Sequence, residues 1–198
     1  MLHLIPLPKR LRREKAEPYM NCILQRRSIR KFKDVPVSDD ALERLLEAAM
    51  AAPSANGRRP WEFLLVMEPR LRREISEVSP YAKAAAYAPA LIVVLANLTK
   101  AGKGKHWWVQ DLAACTENIL LQAVEEELGA VWLGIYPDEN RCQKLSILLS
   151  LPSYVIPFSV IAVGLPGESP APRSGSESMN VFAGIYGAEW NGKNNIST

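Results

Sequence analysis

Apolar positions recur with helical spacing in some stretches and run on almost unbroken in others, and this alternation lays out the chain. Leu42, Leu45, Leu46 and Ala49 mark one face of a helix that Ser38 can cap, with Asp39 and Asp40 in the first turn, where the helix dipole favours negative charge. Before it, a short helix from Asn21, its N-cap, to about Arg27 would turn Ile23 and Leu24 inward, and Val35-Pro36-Val37 demands extended backbone. After a turn at 53–60, the run 61–67 predicts a strand covered on both faces. A charged helix over about 70–78, an Ala-rich helical stretch over 81–87 stopped by Pro89, and a buried strand over 91–95 follow. Residues 100–105, with two glycines and three lysines, read as a mobile loop.

The stretch from about Trp107 to Leu128 predicts the longest helix, and apolar or small residues cover most of its circumference. A helix apolar nearly all round is buried, which predicts its own sheet on one side and a second subunit on the other. Gly129 ends it, 130–133 is a third strand, Asp138 caps a helix to about Leu149, and 159–163 is a fourth strand before Gly164-Leu165-Pro166. From Ser169 the chain is rich in Pro, Ser, Gly and Asn, which suits an extended tail lying on another surface. Residues 1–19 lack apolar periodicity and form a flexible basic arm, so the expected organisation is that arm followed by a single domain over 20–198. Periodicity alone leaves both a parallel α/β sheet and an α+β sheet open.

Charge changes the picture in one place. The net charge is +3, yet residues 1–33 hold ten Lys or Arg against two Glu, while the remainder holds 14 basic against 19 acidic residues. The basicity is local, which argues against a broad nucleic-acid-binding surface. Cys22, Cys115 and Cys142 are widely spaced and joined only by His3 and His106, so neither a disulfide framework nor a metal site is supported. The longest apolar run, 84–96, contains Pro89 and is too short to span a bilayer, and the N-terminus has the wrong order of charge and apolar residues for a secretory signal. A cytoplasmic protein is expected.

The chemistry gathers in Gln25-Arg26-Arg27-Ser28-Ile29-Arg30-Lys31-Phe32. Arg presents a planar fork that matches phosphate oxygens in pairs, and Ser adds a compact donor. A solvated basic turn is the other reading of the same residues. Spacing supports no Cys-His or Ser-His-Asp arrangement, so no catalytic side chain is assigned. Trp107, Trp108 and Trp132 suit core or interface, Gln110 and Asp111 suit a helix start, and Asn118 on an apolar helix face requires a hydrogen-bond partner.

Four stretches in order resemble the nitroreductase family of FMN-dependent oxidoreductases over about residues 20–173. They are Arg26-Arg27-Ser28-Ile29-Arg30-Lys31-Phe32; Ala52-Pro53-Ser54-Ala55-Asn56-Gly57-Arg58-Arg59-Pro60-Trp61; the helix holding Trp108-Val109-Gln110-Asp111 and Asn118-Ile119-Leu120-Leu121; and Gly129-Ala130-Val131-Trp132-Leu133-Gly134 with Gly164-Leu165-Pro166 and Pro172-Arg173. The resemblance implies an α+β fold with a mainly antiparallel central sheet flanked by helices, its long buried helix at a dimer interface. It implies FMN at the interface of a homodimer, held by Arg26, Arg27, Ser28 and Arg30, with Arg173 completing the phosphate site. It further implies that Pro53, Ser54, Ala55, Asn56 and Arg59 approach the flat ring and that Leu133 and Gly134 offer backbone donors to its N5. Arg59 stands where many relatives carry Gln, and Asn56 and Gly57 are swapped relative to the commoner order. The implied activity is ping-pong transfer of reducing equivalents from NADH or NADPH to an electron-poor acceptor, nitroaromatic or quinone-like. A flavin-binding sensor or carrier without turnover is the alternative.

Overall fold

A computed structural model describes residues 22–102, 106–171 and 181–188. Four strands form one sheet: β1 (Trp61–Val66), β2 (Ala90–Asn97), β3 (Gly129–Gly134) and β4 (Val155–Gly164). They lie in the order β1-β2-β4-β3, every neighbouring pair antiparallel. The helices are α1 (Cys22–Gln25), α2 (Asp39–Met50), α3 (Pro69–Ser76), α4 (Leu98–Ala101), α5 (Trp108–Glu125) and α6 (Glu139–Leu148), with 3-10 turns at Ala55–Gly57 and Lys83–Ala86. The fold is α+β, and the antiparallel pairing closes the choice that periodicity left open.

Alternation along the strands divides the interior into two layers. Ile92, Val94, Ile161 and Val163 pack with Leu42 and Leu45 of α2 and Leu112 and Ile119 of α5. Leu91, Val93, Val160 and Ala162 point to the other face, against Ile75 of α3 and Leu145 of α6. Every residue of β2 is buried, as a central strand covered on both faces requires.

Local signals account for most element ends. Ser38 accepts the Ala41 N–H at 3.3 Å to cap α2, and Asp138 accepts that of Arg141 at 3.1 Å to cap α6. Asn118 donates to the Ala48 carbonyl at 2.9 Å, so its amide ties α5 to the last turn of α2. Trp108 and Trp132 belong to the interior, each packing edge-on against Phe158, whereas Trp107 is exposed.

Five expectations differ from the structure. Ile23 and Leu24 face outward, because helical spacing sets Cys22 and Arg26 together on the side of α1 that meets α5. β1 is an edge strand covered only in part, and Leu65 and Met67 are exposed at its end. β4 starts four residues earlier than the apolar run suggests; it admits Pro157 where its register with β2 shifts between Val94 and Leu95, a bulge being the place where a strand tolerates proline. The stretch 81–87 is helical only as the 3-10 turn Lys83–Ala86. On α5, α2 covers part of the flank where a second subunit is expected, and Val109, Ala113, Leu121 and Val124 remain half-buried there. Lys100 and Ala101 are helical, and the rest of the expected mobile loop at 103–105, the arm 1–19, Asn21 and most of the tail lie outside the described residues. Among the described residues, no helix is long and apolar enough to cross a membrane.

Candidate functional site at the edge of the sheet

The segment after α1 runs along the free side of β3. Ser28 bridges Ala130 in parallel, Ile29 donates to the Ala130 carbonyl at 3.0 Å, and Lys33 donates to that of Leu165 at 2.9 Å. Ile29 is buried against the start of β3, where a Cβ on Gly129 would lie 2.7 Å from Ile29 Cγ2, so only glycine admits this close approach. Glu168 locks the segment from the other side, accepting the Arg30 N–H at 2.6 Å and the Lys31 N–H at 3.1 Å. These two bonds, the Arg30 one foremost, hold the Glu168 carboxyl below the usual carboxylate range.

The arginines of this segment diverge. Arg26 turns back to α5 and pairs with Glu117, Nε to Oε1 at 3.2 Å. Arg27 donates from Nη1 to the Ala171 carbonyl, drawing the start of the tail alongside. Arg30 is exposed, and its Nη1 makes a long 3.5 Å contact with the Ser28 carbonyl. Arg173 lies outside the described residues.

Beyond Ala130 the β3 edge is uncovered. Ala130 turns its carbonyl to Ile29, away from β4, and antiparallel alternation gives Trp132 and Gly134 the same outward direction. A cavity of about 410 Å³ opens there, walled by Arg30, Tyr81, Lys83, Tyr87, Trp132, Leu133 and Gly134. Among the described residues, no atom beyond Gly134 and its chain neighbours lies within 4 Å of the place a Gly134 Cβ would take. Outward backbone donors, two cationic side chains and exposed aromatic rings make this wall suited to a flat, polar-edged group carrying negative charge. That combination fits FMN.

Tyr81, Lys83 and Tyr87 were missed in the sequence. A signal was present: in a stretch whose Ala82, Ala84, Ala85 and Ala88 are buried, these large residues take the outer positions. Tyr81 and Tyr87 are 77% and 73% exposed, and Lys83 pairs with Glu77 at 2.8 Å.

The 53–60 turn is built differently. Ser54 Oγ accepts the Arg59 N–H at 2.9 Å, and Ala55 donates to Asp111 Oδ1 at 2.8 Å. Asp111 is buried at the first turn of α5, so beyond favouring the dipole it pins the turn. Asn56, Gly57 and Arg59 all have positive φ, of 53°, 63° and 48°. Two of the three are not glycine, so the chain holds strain here that the Ser54 and Asp111 bonds maintain. Pro53, Asn56 and Arg59 are exposed, and Ser54 and Ala55 half-buried.

Within this chain the turn and the basic segment stay apart. The turn feeds β1 and the basic segment follows β3, and these are opposite edges of the sheet with two strands between them. Three inter-strand spacings amount to about 14 Å. None of the cavity walls comes from the turn.

Neither interior thiol is a nucleophile. Burial pushes the Cys115 thiol up to about 12 and that of Cys142 upward, so both stay protonated near neutrality. Among the described residues, no three His, Cys, Asp or Glu side chains gather as a metal site.

A sequence model of the nitroreductase family matches residues 23–83 and 77–165. A protein of Methanothermobacter thermautotrophicus named NADH dehydrogenase/NAD(P)H nitroreductase is 42% identical over 154 residues, which are 78% of this chain and 80% of that one. The crystal structure of an NADH oxidase from Clostridium acetobutylicum superposes with a TM-score of 0.80 at 39% identity, covering 84% of this chain and all of that one. A nitroreductase from Desulfovibrio desulfuricans, crystallised in complex with FMN, superposes with a TM-score of 0.68 at 29% identity, covering 80% of this chain and 92% of its own.

Proposed function

The chain belongs to the nitroreductase family, and from that premise we propose that it is an FMN-dependent oxidoreductase that takes reducing equivalents from NADH or NADPH and delivers them to an electron-poor acceptor, nitroaromatic or quinone-like, by a ping-pong cycle. The observation that carries this is the cavity at the free edge of β3, where outward backbone groups of Trp132 and Gly134 stand beside the cations of Arg30 and Lys83. FMN held at this edge would supply the hydride acceptance and onward electron transfer that the side chains cannot. The protein contributes position and electrostatics: Arg27 and Ser28 grip the phosphate, Arg26 joins them on leaving Glu117, Arg173 completes that grip, and the end of β3 at Leu133 and Gly134 meets the ring, Gly134 with its outward backbone. Arg30 and Lys83 favour the ring when it carries negative charge. The open side of the cavity admits nucleotide and acceptor in turn.

A homodimer completes the site in this reading. The 53–60 turn is rigid, partly exposed and too far from the cavity within one protomer, and Ile23, Leu24 and Met50 are exposed beside the half-buried flank of α5. A second copy laid on α5 covers that flank and brings its own turn, with Pro53, Ser54, Ala55, Asn56 and Arg59, to the cavity.

Purified protein should be yellow, release FMN on denaturation, and be bleached by NADH or NADPH, with parallel double-reciprocal lines when nucleotide and acceptor are varied. Colourless protein that takes up no FMN overturns the proposal. Flavin that binds but resists both nucleotides favours a sensor or carrier, a reading supported by the unusual order of Asn56, Gly57 and Arg59 in the turn.

A further inference from the structure

We propose that Arg141 is a positioning residue for this cavity: it fixes the β3 edge at Gly134 and keeps a positive charge beside the wall that meets the flavin. The inference rests on reading the cavity as a flavin site. Gly134 ends an edge strand, has no side chain, and has open space where a Cβ would be, so nothing on its own face steadies it. Arg141 supplies the missing hold, donating from Nη1 to the Gly134 carbonyl at 3.1 Å.

The guanidinium is itself aimed from two sides. Asp138 caps α6 with one oxygen, accepting the Arg141 N–H at 3.1 Å, and pairs with Arg141 Nε through the other, also at 3.1 Å. The guanidinium carbon also lies 5.5 Å from the centre of the Tyr81 ring, within reach of a cation–π attraction. One planar fork therefore joins the start of α6, the end of β3 and an aromatic wall of the cavity. The N–H and C=O of a strand residue share a direction, so pinning the Gly134 carbonyl also aims its N–H. The side chain is only 25% exposed, so its charge is screened less than that of a free surface arginine. A lysine supplies the same charge from a single point and cannot serve Asp138 and Gly134 in one plane.

The test compares wild type with Arg141→Gln, Arg141→Lys and Asp138→Asn. FMN affinity is read by quenching of flavin fluorescence, the two-electron midpoint potential by dye equilibration, and stability by melting of the flavin-free proteins. Arg141→Gln should weaken FMN about tenfold and lower the potential by about 30 mV, which is a tenfold loss of preference for the reduced form. Arg141→Lys should hold the potential but not the affinity, and Asp138→Asn, which loosens the aim while removing a neighbouring negative charge, should weaken the affinity without lowering the potential. Flavin-free melting should move little in Arg141→Gln. The inference is overturned if Arg141→Gln keeps both affinity and potential, or if its weaker affinity tracks a matching loss of flavin-free stability with the potential unmoved. Should Arg141→Gln not fold, unchanged affinity in Asp138→Asn overturns it. Wild type that takes up no FMN removes the reading of the cavity itself, and that outcome is seen before any variant is made.

Discussion

At the β3 edge the outward groups of Trp132 and Gly134 face an open cavity, whereas in the 53–60 turn Ser54 Oγ and the Ala55 N–H are already bonded within the protomer. The edge has donors to offer and, at Gly134, one side-chain hold from Arg141. The turn has a fixed shape and few free donors. In the proposed site the difference gives the regions different work: the edge would meet polar atoms and charge, and the turn would present a rigid contour for close approach. It also explains why the turn tolerates positive φ at Asn56 and Arg59 while the edge depends on the bareness of Gly134.

Four changes would break or sharpen this contrast, taken from the largest expected effect. Arg27→Ala removes a charge-assisted donor from the edge, and FMN affinity should fall by one to two decades, or about 1.5–3 kcal/mol. Flavin titration measures it, and melting of the flavin-free protein should barely change; retention of flavin at full occupancy would return the cluster to a solvated turn. Asp111→Ala leaves the Ala55 N–H without its acceptor and should destabilise the fold by about 1–3 kcal/mol, seen as a lower urea midpoint. A variant that loses flavin with an unchanged midpoint would mean the turn does not depend on that bond for its shape. Arg59→Gly relieves the left-handed backbone at φ 48° and should raise stability by about 1 kcal/mol, measured by thermal melting; a fall would place the Arg59 side chain among the holding contacts.

The smallest effect is set by pH. Glu168 has its carboxyl depressed by the Arg30 and Lys31 N–H groups, so its stabilising contribution is complete above the ordinary glutamate value of about 4.3 and is lost as pH falls through the lower folded value. Acidification below about pH 4.3 should therefore loosen the 28–33 segment and release FMN. Glu168→Gln should flatten that part of the release profile, followed by flavin fluorescence.

Much was legible in the residues because the signals were local. Ser38 and Asp138 marked their helices as caps, the apolar run around 91–95 marked the central strand, and the Arg26-Arg27-Ser28-Ile29-Arg30 cluster marked a charged segment, since each rests on chemistry within a turn or two of itself. Ile23, Leu24 and the ends of β1 and β4 were not legible that way. A one-turn helix has no periodicity to read, and whether a strand is an edge, or where a bulge admits Pro157, depends on neighbours distant in sequence.

The site divides along the same line. Sequence by itself determined the kinds of group available: guanidiniums and a hydroxyl near residue 28, a turn of Pro, Ser, Asn and Gly, and a bare glycine ending a strand. Only the tertiary structure decided their company. Antiparallel pairing put the turn and the basic segment on opposite edges, Asp111 became the anchor of the turn, and Tyr81, Lys83 and Tyr87 joined the wall. The physical reason is that donor chemistry is a property of one residue, while the direction in which a backbone group points is set by the strand it pairs with.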